Sequence, residues 1–212
     1  LVSVVLGCEN IELGNNKVQR KQFSESARLL DWGFENFKTD TKEQAQCYKI
    51  AKRHADTFKE RFERGDGLYI EGTNGTGKTH LAAAIALQLI GEEIPVICKT
   101  SSDLLLDIKS AFDKDVSYGE AEVLRIYKKV DLLIIDDLGT EVTNQFTQSV
   151  MYDVINTRLN RRKATVISTN LLPEEFRSRY SDRLTSRILG EYNVLTFVGT
   201  DVRQQKIRRQ AP

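Results

Sequence analysis

The stretch Leu68-Tyr69-Ile70-Glu71 runs straight into Gly72-Thr73-Asn74-Gly75-Thr76-Gly77-Lys78-Thr79-His80, and how it is read decides the fold. A short apolar strand, a loop of the form G-x-x-x-x-G-K-T and a helix-forming run from Leu81 to Ile90, closed by Gly91, stand in that order. A triphosphate is best held by backbone N–H groups converging on it, and glycine lets the backbone come that close. Lys78 is then placed to reach the β- and γ-phosphates, the Thr79 hydroxyl to coordinate Mg2+, and the helix turns the positive end of its dipole toward the same phosphates.

The second informative stretch is Val130-Asp131-Leu132-Leu133-Ile134-Ile135-Asp136-Asp137-Leu138-Gly139. A continuous apolar run of this length reads as a strand buried on both faces of a parallel sheet, where functional groups gather at the carboxyl ends. Two adjacent aspartates are costly to bury without a cation. A nucleotide-bound Mg2+ supplies that cation, with Asp136 holding the metal's coordination shell and Asp137 orienting or deprotonating the attacking water.

Three more strands are read at Pro95–Thr100, Ala164–Asn170 and Val194–Gly199, separated by helical segments that include an amphipathic one from about Lys42 to Glu63 and another from about Asn144 to Asn160. Alternation of this kind predicts an α/β fold with a five-stranded parallel sheet and helices on both faces. Asn170 ends a strand expected to neighbour both the loop strand and the aspartate strand, so its amide is within reach of the γ-phosphate or the lytic water. Ahead of the core, the aromatic cluster around Trp32, Phe34 and Phe37 reads first as a plug packed on the core, which is compatible with a role in walling the base of a bound nucleotide. His54 and His80 read as surface or packing residues, and Arg158 with Arg161-Arg162-Lys163 as a solvated basic helix end.

The 31 basic and 30 acidic residues among 212 nearly cancel, which argues against a globally basic nucleic-acid binder and leaves phosphate contact to local patches such as Lys99, Lys109 and Lys114. Three scattered cysteines form neither a disulfide framework nor a zinc site, and a reducing, cytoplasmic setting fits. The opening apolar residues are too few to span a membrane. The chain starts without Met, so residues 1–28 are expected to be a linker or the remnant of a missing N-terminal domain, with an ATPase domain over 29–212.

The ordered set of Phe34-Glu35-Asn36-Phe37, the Gly72–His80 loop, Asp131–Gly139, Ile167-Ser168-Thr169-Asn170 and Asp182-Arg183-Leu184-Thr185-Ser186-Arg187-Ile188 resembles the AAA+ ATPases, and more narrowly the DnaC/DnaI-type replicative helicase loaders. The resemblance covers residues from about 30 to 200. It implies ATP and Mg2+ as cofactors, with Gly72, Thr73, Asn74, Gly75, Thr76, Gly77, Lys78, Thr79 and His80 binding nucleotide and Thr79 and Asp136 the metal. It also implies Asp137 and Asn170 as catalytic residues, and Arg187, with Arg183 as its companion, as an arginine finger acting on a neighbouring subunit. Many members of the wider superfamily have Glu where this chain has Asp137. Little or no C-terminal lid is expected, with Arg203 the candidate for a second sensor. The implied function is an ATP-dependent loader that delivers a hexameric replicative helicase to single-stranded DNA and forms a homo-oligomer with ATP. The ATPase subunit of a transposition system has a closely similar core, and a small-molecule P-loop kinase is a third reading.

Overall fold

The run Leu132–Leu138, β3, is buried at every position except Asp137, as a strand covered on both faces must be. In the computed structural model, which describes residues 32–111 and 120–197, it lies inside a five-stranded sheet. The other strands are β1 (Gly67–Gly72), β2 (Val96–Thr100), β4 (Ala164–Thr169) and β5 (Tyr192–Phe197). Their order is β2-β3-β4-β1-β5 and every pairing is parallel.

Alternation along the strands divides the core in two. Leu68, Ile70, Leu132, Ile134 and Val166 face one side, where helices α1 (Lys42–Asp56) and α2 (Lys78–Gly91) cover them. Tyr69, Leu133, Ile135 and Ile167 face the other. There they meet α3 (Ser101–Ser110), α4 (Glu120–Lys129), α5 (Gln145–Asn160), α6 (Pro173–Tyr180) and α7 (Asp182–Glu191). The chain leaves β1 toward the first face and leaves its neighbour β4 toward the second. The crevice between the carboxyl ends of these two strands is therefore a topological switch point, where ligands bind in open α/β sheets. Among the described residues no helix is long and apolar enough to cross a membrane.

Local signals set most helix starts. The Thr41 hydroxyl accepts from the Gln44 N–H while the Gln44 side chain accepts from that of Thr41, a reciprocal cap that starts α1. Asn144 caps α5 through Thr147 N–H at 2.9 Å. The expectation of one helix from Lys42 to Glu63 is corrected, because α1 ends at Asp56. Phe58 turns into the core, its N–H bonds the near carbonyl of Ala55, and a further tight turn at Phe62–Arg64 reaches Gly65 in a left-handed conformation. Residues 198 and 199 of the expected last strand, together with Phe112, Lys114, Arg203 and the expected N-terminal linker, lie outside the described residues.

Two buried cations depart from their surface reading, and His54 takes the packing place of the two open to it. Arg158 is fully buried, and its guanidinium donates to the carbonyls of Tyr127 (2.8 Å), Val130 (2.9 Å) and Ala164 (2.5 Å) and to Thr165 Oγ1 (3.0 Å). Burial lowers its pKa to about 10, which leaves it charged at neutral pH and tying α4 and α5 to the start of β4. Lys99 is buried too and pairs with Asp107 at 2.8 Å, so it is not available to contact DNA.

His54 is 4% exposed, neither ring nitrogen has a partner among the described residues, and burial first, then the Arg61 charge, push its pKa down to about 4. The sign follows from linkage: the unfolded chain takes up this proton near pH 6.5 and the folded one near 4. Protonation of His54 therefore takes nothing from stability well above pH 6.5 and removes stability as pH falls from 6.5 toward 4, on the order of 3 kcal/mol in total. Urea denaturation at pH 7.5 and 5 should show about 2 kcal/mol of this loss, and His54→Leu should flatten it. Equal pH dependence in the two proteins would rule the histidine out as its source.

Candidate functional site

The loop after β1 is folded around the ammonium of Lys78. This side chain is buried, and its Nζ donates to the carbonyls of Gly72 at 2.7 Å and Thr73 at 2.8 Å. Thr76 Oγ1 donates to the same Thr73 carbonyl at 2.9 Å, while Thr73 and Asn74 form the exposed rim around Gly75. Gly77 precedes α2 at φ +109°, and a Cβ there would stand 3.1 Å from the Phe37 ring, so two constraints call for glycine.

Across the crevice stand the aspartates. Asp136 is 5% exposed, receives the Thr79 hydroxyl at 3.3 Å and is hydrogen-bonded by Ser168 Oγ. Burial raises its pKa and the neighbouring Asp137 charge adds to this, while the hydrogen bonds from Ser168 and Thr79 act against it. Asp137 is partly exposed, and its backbone is left-handed at φ +53°. Asn170 Nδ2 lies 3.5 Å from Asp137 Oδ1, and the Asn170 amide oxygen is buried without a partner among the described residues. The adjacency of β4 to both β1 and β3 thus brings Thr79, Asp136, Asp137 and Asn170 together, as their order in the sequence predicts.

Ser168 was not singled out from the sequence, yet it binds both aspartates, accepting the Asp137 N–H at 3.0 Å. Its signal was present: Ser168 and Thr169 are polar residues inside a strand that is buried throughout. Glu141, also missed, is a buried carboxylate that accepts from Gly139 N–H at 2.9 Å and Ser101 Oγ at 2.5 Å. Nothing in the local pattern marks it.

The aromatic cluster packs on the core and on the start of α2. Phe34 is buried in the core, while Trp32 and Phe37 pack on His80, with ring centroids 6.1 and 5.2 Å away. His80 Nε2 also lies 3.1 Å from the Gly33 carbonyl, so the turn at Phe34–Asn36 is fastened to the start of α2, beside the phosphate loop.

Arg187 and Arg183 do not join this cluster. The Arg187 guanidinium bonds Asn156 and, at 2.9 Å, Asn160, and pairs with Glu191 at 3.3 Å. These partners lie on the last turn of α5 and the end of α7, each of which leads directly into the start of a strand. In a parallel sheet that is the amino edge, opposite the phosphate loop. Arg183 is exposed and lies over the Tyr152 ring at 5.7 Å. Lys109 is exposed on α3.

The arrangement fits a nucleotide with its metal. Among the described residues no group of three or more His, Cys, Asp or Glu side chains could hold a metal. One hydroxyl and one carboxylate meet at Thr79 and Asp136, which suits Mg2+ because that ion keeps waters and phosphate oxygens as most of its ligands. A parallel sheet with a phosphate loop at its switch point, paired acids on the adjacent-but-one strand and a polar residue between them defines the AAA+ class of P-loop ATPases. The chain belongs to the family described as IstB-like ATP binding protein, which it matches over residues 13–210. It is 29% identical over 176 residues to the replicative helicase loader DnaC of Buchnera aphidicola subsp. Schizaphis graminum, an alignment covering 82% of this chain and 70% of that protein. Its fold is like that of a DnaC helicase loader crystal structure, with a TM-score of 0.72 at 23% identity over 81% of this chain and 99% of the other. It is also like AMPPCP-bound DnaA from Aquifex aeolicus, with a TM-score of 0.69 at 23% identity over 84% of this chain and 55% of the other.

Proposed function

We propose that the chain is an ATP-hydrolysing switch that delivers a hexameric replicative helicase to single-stranded DNA. The observation that carries the hydrolytic part is the meeting of Thr79 with Asp136 while Asp137 and Asn170 stand together at the exposed end of the same crevice. In this reading Lys78 exchanges its loop carbonyls for the β- and γ-phosphates, and Thr79 and Asp136 hold Mg2+. Bound Mg2+ supplies charge neutralisation at the phosphates. Asp137 accepts the proton of the attacking water and Asn170 orients that water. Arg187 serves the next subunit of an ATP-dependent homo-oligomer, and single-stranded DNA binds weakly and through local basic residues.

The helicase as partner is supported by the likeness to DnaC across most of the chain. The ATPase subunit of a transposition system stays as the second reading, because the family that matches is not itself named for helicase loading. Adding purified replicative helicase should be followed by co-precipitation and a severalfold change in ATPase rate, with no change on adding a transposase. The reverse pattern would replace the loader reading with the second one.

A further inference from the structure

Asp137 has a left-handed backbone, and Gly139 beyond it has φ +107°. A strand does not end in that shape unless surrounding groups hold it there. They converge from several elements. Ser168 Oγ accepts the Asp137 N–H, Ser101 Oγ on the first residue of α3 lies 3.1 Å from the Asp137 carbonyl, and Thr140 donates to that carbonyl through its N–H (3.2 Å) and Oγ1 (3.0 Å). Arg179 on α6 donates to the Gly139 carbonyl.

Glu141 links these contacts. Its Oε2 accepts both the Gly139 N–H at 2.9 Å and the Ser101 hydroxyl at 2.5 Å. Its Oε1 is buried without a partner among the described residues. A buried carboxylate is unfavourable unless its bonds compensate, and of the two bonds made here one goes to the Gly139 N–H of the turn and the other to Ser101, whose oxygen packs against the Asp137 carbonyl.

We propose that Glu141 is a positioning residue for hydrolysis: through Gly139 and Ser101 it fixes the turn that aims the Asp137 carboxylate, without itself touching nucleotide. The inference rests on the reading of Asp137 as the group that takes the water's proton. Because one oxygen makes both bonds, Glu141→Gln can set its amide oxygen at that position and keep them, with the NH2 group on the unpartnered side. Glu141→Ala loses both bonds and leaves the buried Gly139 N–H without an acceptor. Ser101→Ala removes only one of the contacts.

The test measures steady-state ATP hydrolysis, ATP affinity by isothermal titration and melting temperature for Glu141→Ala, Glu141→Gln, Ser101→Ala and Asp137→Asn. Glu141→Ala should lose at least about tenfold in kcat, since small misplacements of a reacting group cost up to about a hundredfold. Its ATP affinity should stay within about twofold of the parent, the split expected when only a transition-state interaction is disturbed. Glu141→Gln should recover to within about threefold of the parent, and Ser101→Ala should lie between the two. Parent-like turnover in Glu141→Ala beside an inactive Asp137→Asn would overturn the positioning role and leave the base in place, whereas an active Asp137→Asn would remove the base itself. Glu141→Gln no better than Glu141→Ala would also overturn the inference, because charge and not geometry would then matter. If Glu141→Ala does not fold, Ser101→Ala decides: reduced kcat at unchanged affinity supports the role, and parent-like kcat removes it.

Discussion

Asp137→Asn is expected to bind ATP as the parent does and to hydrolyse it at least about a hundredfold more slowly, the range lost with a general base. The substitution changes almost nothing but the ability to accept a proton. Asparagine tolerates the left-handed backbone at φ +53° as well as aspartate does, so the turn keeps its shape. The backbone contacts with Ser168, Ser101 and Thr140 do not involve the altered side chain. Asp136→Asn is the contrasting control. Its carboxylate is buried against Thr79 and Ser168 and is the group proposed to hold Mg2+, so this variant should show altered Mg2+ dependence of nucleotide binding. Titration calorimetry and phosphate-release rates separate the two. Hydrolysis by Asp137→Asn at the parent rate would mean that another group takes the proton.

The parts of the site that depend on strand order are legible in the sequence. A phosphate loop after one buried strand, acids at the end of a second and a polar residue at the end of a third fall together once the sheet is parallel, because parallel strands put all carboxyl ends on one edge. What could not be read is what depends on rotation about a single residue or on contacts across the sheet. Arg158 has the composition of a solvated helix end, and only the positions of the Tyr127, Val130 and Ala164 carbonyls turn it inward. Lys99 looked like a surface cation beside a strand, but edge strand β2 is buried along its length and Asp107 on α3 receives the ammonium. The end of α1 was overestimated because Phe58 and Phe62 continue the helical spacing, while Phe58 is buried from a tight turn. Glu141 carries no periodic or motif signal, and its importance lies in two hydrogen bonds to groups brought near by the fold.

Arg187→Ala, inactive alone, is expected to recover ATPase activity when mixed with Lys78→Ala, itself inactive. The expectation follows from where the two side chains lie. Lys78 is at the carboxyl edge of the sheet and Arg187 at the amino edge, so no rotamer of Arg187 brings it to the phosphate loop of its own chain. If it acts on ATP, it acts from a neighbouring copy, through a head-to-tail contact in which different surfaces meet. Each Arg187→Ala subunit keeps an intact loop and each Lys78→Ala subunit an intact arginine, so in a random equal mixture about one interface in four is whole. Loss of a finger costs on the order of a thousandfold in rate, so even a minority of restored interfaces stands well above either protein alone. The competing account is local. Arg187 already bonds Asn156, Asn160 and Glu191, and if that is its whole purpose the Glu191 pair contributes only ~0.5 kcal/mol as a partly exposed bridge. On that account Arg187→Ala melts slightly lower and hydrolyses ATP normally by itself. Full turnover by the single variant would therefore remove both the trans site and the main reason to expect an ATP-dependent oligomer, whereas recovery only on mixing requires the guanidinium to leave its asparagine partners for the neighbour's phosphate.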